Sequence, residues 1–316
     1  MRQVIYPPPI NKGDTIGLVA PAGSLISKDN FTEGVQILEK EGFKVKFNHK
    51  LLNTRGYLAG SDQERADEFN KLWADPEIKA VVAARGGYGC LRMIDLIDMK
   101  QIRKHPKILI GFSDLTVLLN AIHKKTGLVT FHGPVGTSDF NRFSLKSMKK
   151  VLMEADGDYK YPYKREKGSR SNTEFDQYTL SGGRAEGVLI GGNISVLDSI
   201  IGTRFEPDFE NKIVFLEEIG EKTYRVDKML FHLLSGSNLK QAAGIVMGVF
   251  GECNINDAPT LSLKEALNDL LVPLNFPVSY GLSFGHIKRM VTIPTGITAV
   301  MDADKNSLML LEAAVV

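Results

Sequence analysis

Cysteine is nearly absent: Cys90 and Cys253 are the only two in 316 residues. They lie far apart and match no metal-ligand spacing, which excludes a disulfide scaffold and a cysteine-rich metal centre. A single bridge is chemically possible, but the reading adopted is two unrelated buried thiols in a reducing compartment. An excess of one charge is also missing. The net charge is +2, and acids and bases alternate locally, as in Glu39-Lys40-Glu41, in the manner of a solvated face. The chain therefore lacks the electrostatic footprint of a nucleic-acid binder. No apolar run approaches the ~18 residues of a membrane span. The start, with Pro7-Pro8-Pro9 followed by Lys12 and Asp14, does not follow the pattern of a signal peptide. These absences together predict a cytoplasmic protein with neither nucleic-acid nor membrane partners. There is no internal repeat and no low-complexity tract.

What is present is an ordinary globular composition, 43% hydrophobic and 24% charged. A chain of this length buries about three quarters of its unfolded surface, so its core needs no metal or disulfide. Strand-like and helix-like segments alternate through the first half. Short apolar runs at 15–20, 78–84, 107–111 and 128–131, and a segment at 43–47 that alternates apolar and basic residues, read as strands. Helices are predicted at 30–41, at 61–73 behind the Ser61-x-x-Glu64 capping box, and at 115–125. Such alternation predicts an α/β fold with a parallel sheet. Residues 141–181 read as one helix followed by a polar linker containing Gly168-Ser169-Arg170-Ser171-Asn172. A second alternating region begins near Gly187, with strands at 212–217, 243–250 and 291–294 and helices at 194–200, 225–234 and 263–271.

Ligands of open α/β sheets bind beyond the carboxyl ends of the strands. Three predicted strands end in unusual chemistry. The apolar run Ile108-Leu109-Ile110 leads into Gly111-Phe112-Ser113-Asp114 and then directly into a helix. That turn is similar to a nucleophile elbow, although it is not Gly-x-Ser-x-Gly, and an N-cap serine is the competing reading. Gly86-Gly87-Tyr88-Gly89 follows another strand; it fits neither phosphate-loop pattern and is open to a plain turn or a close backbone approach to a ligand. Glu217 ends the run Ile213-Val214-Phe215-Leu216 and needs a partner there, either a histidine or an arginine such as Arg225, with Glu218 as its immediate rival. Of the six histidines, His132 and His286 sit beside glycine, and no pair has the spacing of a His-Glu-x-x-His site. No metal and no other cofactor is called for.

Taken in order, Gly17-Leu18-Val19-Ala20-Pro21-Ala22, Arg85-Gly86-Gly87-Tyr88-Gly89, Gly111-Phe112-Ser113-Asp114, Phe131-His132-Gly133-Pro134, Gly191-Gly192-Asn193, Leu216-Glu217-Glu218 and Gly285-His286 resemble the LD-carboxypeptidase family of serine peptidases, which includes microcin-immunity peptidases. The resemblance spans nearly the whole chain. It implies a Rossmann-like N-terminal domain with a parallel sheet and a smaller C-terminal α/β domain, with the site between them. The corresponding segments are 1–155, a linker at 156–182, and 183–316. It also implies a Ser-Glu-His triad of Ser113, Glu217 and His286, and an oxyanion hole from the backbone N–H groups of Asp114 and Gly87. The implied substrate is a murein tetrapeptide that loses its terminal D-Ala from an L-centre, and the implied assembly is a homodimer. Two alternatives remain: a microcin-immunity-type peptidase acting on a peptidyl-adenylate-like compound, and a non-catalytic protein that binds a ligand in the cleft.

Overall fold

Five short strands from the first half of the chain, most of them apolar, build the first sheet together with a sixth from near its end, and the helices between the five are set by local signals. The computed structural model describes residues 3–165, 173–253 and 259–316. Strands β1 (Thr15–Val19), β2 (Lys44–Lys46), β3 (Ile78–Ala83), β4 (Ile108–Gly111) and β5 (Thr130–His132) alternate with helices. These are α1 (Lys28–Lys40), α2 (Asp62–Ala74), α3 (Cys90–Met93), α4 (Met99–Lys104) and α5 (Thr116–Thr126), with α6 (Arg142–Met153) after β5. The predicted capping box is present. Ser61 Oγ accepts the Glu64 N–H, and the Glu64 carboxylate accepts the Ser61 N–H, so two orphan donors of α2 are satisfied. Gly127 closes α5 in the left-handed conformation, its N–H donating to the His123 carbonyl.

Further along lie β6 (Tyr159–Lys160), β7 (Tyr178–Ser181), β8 (Arg184–Asn193), α7 (Ile194–Ile200), β9 (Lys212–Ile219), α8 (Thr223–Gly236), β10 (Gly244–Gly251), α9 (Leu263–Leu271) and β11 (Val278–Tyr280). The chain ends on β12 (Ile293–Thr295), β13 (Thr298–Asp302) and β14 (Ser307–Leu310).

The first sheet runs β12-β5-β4-β3-β1-β2. Its five N-terminal strands are parallel, and their order reverses direction between β1 and β3. In doubly wound folds that reversal opens a crevice at the carboxyl ends of the two strands. The second sheet runs β6-β14-β13-β8-β9-β10-β11-β7. Its centre, β8 to β11, is parallel, and antiparallel strands close both sides. Central strands such as β3, β4 and β10 are buried almost throughout, which is why they read as continuous apolar runs.

Two compact units result. One comprises residues 1–155, 292–296 and 313–316, the other residues 156–291 and 297–312. The division differs from the sequence expectation in three ways. The segment read as a linker, 156–182, supplies β6 and β7 to opposite edges of the second sheet; its residues 166–172, with the polar Gly168–Asn172 stretch, lie outside those described. The strand read at 291–294 as part of the C-terminal region is β12, which pairs antiparallel with β5 in the first sheet. Residues 313–316 likewise belong to the first unit. Local patterns signal that a segment is extended; they do not name the strand it pairs with.

Candidate active site

In the first unit, β4 delivers its chain into a one-turn 3₁₀ segment, Ser113–Leu115, that runs on into α5. Ser113 sits at φ 63°. A non-glycine residue rarely occupies this left-handed region, where Cβ crowds the following carbonyl. Strain of this kind persists only where the surroundings impose it, and it gathers at functional sites. The N-cap reading fails on geometry. Phe112 stands at the cap of the 3₁₀ turn and Leu115 at the cap of α5, and neither end has a side-chain capping bond. The Ser113 side chain is thus turned away from the capping role that its sequence position suggested.

The glycine turn meets Ser113 directly. A Cβ built on Gly86 would lie 2.8 Å from Ser113 Cβ and 2.9 Å from Ser113 Oγ, so only glycine lets the two turns come this close. Asp114 ties the same turns together, because its Oδ2 accepts the backbone N–H of Cys90 at 2.8 Å. Burial raises the Asp114 carboxyl above its ordinary range, against the lowering effect of the Cys90 bonds. The Cys90 thiol is pushed well up by burial and by the Asp114 charge, so it stays protonated and inert. Cys253 is pushed up to about 12, again chiefly by burial. Both cysteines are free and buried.

A residue that the sequence reading passed over anchors this arrangement. Arg65, on α2, is 1% exposed. It donates to the carbonyls of Pro21 and Gly89 and pairs with Asp62, joining the ends of β1 and the glycine turn. Arg65 shares the buried face of α2 with Phe69 and Leu72, at spacings of four and seven residues. A cation at a core position of an amphipathic pattern was the available signal.

In the second unit, β9 lies between β8 and β10 and carries Glu217 fully buried near its end. His286 Nδ1 lies 2.8 Å from Glu217 Oε2. A carboxylate only accepts, so Nδ1–H donates and Nε2 is left as the basic nitrogen. Gly285 makes the approach possible: it sits at φ 112°, and a Cβ there would fall 3.1 Å from Glu217 Oε2. Burial alone would lower the His286 pKa, but the charge of Glu217 and its hydrogen bond outweigh it, and the net direction is upward.

The rival acid has other work. Glu218 points to the opposite face, as successive strand residues do. It accepts from Asn193 Nδ2 at 3.0 Å and from the backbone N–H groups of Ser195 and Ile219 at 2.9 Å each, which secures the start of α7. Burial raises its carboxyl. Arg225, the alternative partner for Glu217, pairs instead with Glu221. His132 lies fully buried in β5, its ring edge-on to Phe112 at 6.0 Å. Among the described residues no cluster of His, Cys, Asp and Glu has the arrangement of a metal site, and no helix is long and apolar enough to cross a membrane.

Ser113, Asp114 and Gly87 thus belong to the first unit, and Glu217 and His286 to the second. Each half has the chemistry of part of a serine hydrolase: a strained serine beside a glycine turn, and a histidine oriented by a buried carboxylate.

Comparison with known proteins agrees with this chemistry. Residues 16–133 match the LD-carboxypeptidase N-terminal domain, and residues 186–301 match the LD-carboxypeptidase C-terminal domain. A probable murein peptide carboxypeptidase of Bacillus subtilis is 39% identical over 311 residues, covering 96% of this chain and 93% of that one. The murein tetrapeptide carboxypeptidase of Pseudomonas aeruginosa is 30% identical over 306 residues, covering 92% and 94% of the two chains. Among solved structures, the microcin C7 self-immunity protein MccF in complex with glutamyl sulfamoyl guanosine superposes with a TM-score of 0.90 at 27% identity, covering 98% of this chain and 99% of that one.

Proposed function

The chain belongs to the LD-carboxypeptidase family, and from that premise we propose that it is a serine carboxypeptidase releasing the terminal D-Ala of a murein tetrapeptide from an L-centre. The observation that carries the reading is Ser113 held at φ 63° where β4 ends. In this reading Ser113 Oγ attacks the scissile carbonyl, and its proton passes to His286 Nε2. Glu217 keeps the imidazole in the productive tautomer and stabilises its cation. The backbone N–H groups of Asp114 and Gly87 receive the oxyanion. Collapse expels the amine of D-Ala, which takes the proton from His286. Water, activated by the same imidazole, then cleaves the acyl-enzyme to release the shortened peptide as its acid and restore Ser113. The names of the Bacillus and Pseudomonas relatives support the substrate class. The reading extends to a homodimer in the cytoplasm; light scattering tests the assembly.

The deciding experiment incubates the tetrapeptide with wild-type protein and with Ser113→Ala, and follows loss of D-Ala by mass spectrometry. Wild type releases it, and a folded Ser113→Ala protein is slower by roughly 10⁴-fold or more. Comparable turnover by the two proteins refutes the mechanism. A matched peptide ending in L-Ala is cleaved poorly; equal cleavage refutes the stereochemical assignment. The overlap with MccF favours a second reading, cleavage of a peptidyl-nucleotide. Glutamyl sulfamoyl guanosine in the same assay separates the two: faster cleavage of it than of the tetrapeptide selects the second.

A further inference from the structure

The first unit contains an open recess of about 660 Å³ that the triad does not use. It is lined by Gly23, Ser24, Tyr57, Arg85, Gly87 and Tyr88, among others. Gly23 and Ser24 follow β1, and Arg85 to Tyr88 follow β3, so the recess lies where the strand order reverses, the preferred ligand position of a doubly wound sheet. It adjoins the serine through the backbone: Gly23 N–H donates to the Gly86 carbonyl, and Gly86 packs on Ser113. The rings of Tyr57 and Tyr88 meet edge-to-face at 5.8 Å, and both are well exposed.

Arg85 is the charged group among the lining residues. Its Nη1 donates to the Ser24 carbonyl at 2.7 Å, which fixes the guanidinium. Its Nη2 faces the glycine turn, 3.9 Å from where a Gly87 Cβ would sit. Among the described residues Arg85 has no carboxylate partner, although it is half-buried. An arginine held in place by a carbonyl, and not neutralised, is poised for an anion that comes from outside the chain.

We propose that Arg85 captures the free C-terminal carboxylate of the peptide substrate, and so makes the site one for carboxypeptidase and not endopeptidase action. The inference rests on the carboxypeptidase reading above. One Cα separates the terminal carboxylate from the scissile carbonyl's amide nitrogen, so the two groups lie within about 4–5 Å of each other. Arg85 Nη2 lies 3.9 Å from where a Cβ on Gly87, the proposed oxyanion donor, would sit, a separation of the same size. The tyrosine pair supplies an apolar wall beside it.

The test separates binding from turnover. In the full-length Ser113→Ala protein, calorimetry compares the tetrapeptide ending in free D-Ala with the same peptide ending in D-alaninamide. The acid binds tighter by roughly 100-fold, and adding Arg85→Gln removes that preference. An acid-to-amide ratio that Arg85→Gln leaves unchanged overturns the proposal, as does the absence of any preference for the acid. Should Arg85→Gln fail to fold, phenylglyoxal modification of the Ser113→Ala protein, mapped by mass spectrometry, gives the answer. The acid protects Arg85 and the amide does not; equal protection by both overturns the proposal. Failure of the functional reading shows separately, as a wild-type protein that releases no D-Ala while Arg85 still discriminates acid from amide.

Discussion

Glu217 Oε2 and His286 Nδ1 lie 2.8 Å apart although 69 residues separate them in the chain. The carboxylate is fully buried and the imidazole is mostly so, with 19% of its side chain exposed. The pair is thus held in a poorly screened setting, where a carboxylate acts strongly on an imidazole.

Glu217→Gln keeps the shape and removes the charge. Turnover falls by about 10⁴-fold, as expected when a histidine loses its orienting acid. The pH profile gives an independent readout. His286 is a base only when neutral, and its pKa is raised above 6.5 despite the opposing effect of burial. The wild-type rate therefore climbs with pH through a midpoint above 6.5. Without the Glu217 charge, burial dominates and the midpoint moves down. Stability has a matching sign: the pair's contribution is complete below the unfolded imidazole pKa and is lost as pH rises through the folded one. A midpoint that stays in place in the Gln variant refutes the coupling.

Glu218→Gln should do the reverse. Its carboxylate accepts from Asn193, Ser195 and Ile219, and an amide nitrogen in place of one oxygen would face an N–H donor. The cost is about 1–3 kcal/mol of stability, with a much smaller fall in turnover than at Glu217. Denaturant melts and steady-state kinetics on the two variants check the ranking. A larger loss of turnover at Glu218 would reverse the assignment.

Gly86→Ala puts a methyl group 2.8 Å from Ser113 Cβ. The serine must shift, and a displacement of about 1 Å costs on the order of 100-fold in rate. The expected result is a fall in kcat with KM changed much less. Wild-type kcat in the Ala variant would show that the turn gives way instead.

Arg65→Met retains the volume on the buried face of α2 but removes the donor to Pro21 and Gly89. Leaving a buried carbonyl unpaired costs about 2 kcal/mol. Urea unfolding measures it, and activity falls as well because the glycine turn loses its tether. Unchanged stability would mean that water replaces the guanidinium.

The legibility of this chain in its sequence follows the range of the forces involved. The strands at 78–84 and 107–111 were visible because burial on both faces makes them continuously apolar, and α2 was visible because its capping box is a contact across three residues. The strands β6, β7, β8, β11, β13 and β14 went unread. β8 carries Gly187, Gly191 and Gly192, which weaken the strand signal. β6, β7, β13 and β14 are short and partly exposed antiparallel strands, and β11 has only three residues. The pairing of β12 with β5 depends on a neighbour far away in sequence. At the candidate site, Ser113 was ambiguous because an N-cap and an elbow share one sequence pattern; the backbone angle distinguishes them. Glu217 and Glu218 were separable only through strand alternation and the family resemblance. Arg85 was visible as part of a motif, but that it has no carboxylate partner among the described residues is a tertiary fact.

The late arrival of β12 constrains how the chain is made. The strand that covers the open edge of β5 is translated about 160 residues after β5 itself. At the usual pace of synthesis, roughly 5–20 residues per second, that edge stays uncovered for on the order of ten to thirty seconds. During this interval a nascent chain offers the unpaired groups of β5 to any other strand nearby. Because His286 precedes β12 by only a few residues, the sheet that carries Ser113 is completed only after the imidazole has been synthesised. A ribosome-bound fragment that stops before His286 therefore has neither a closed first sheet nor a complete set of the proposed catalytic groups, and chaperone demand should peak in that window.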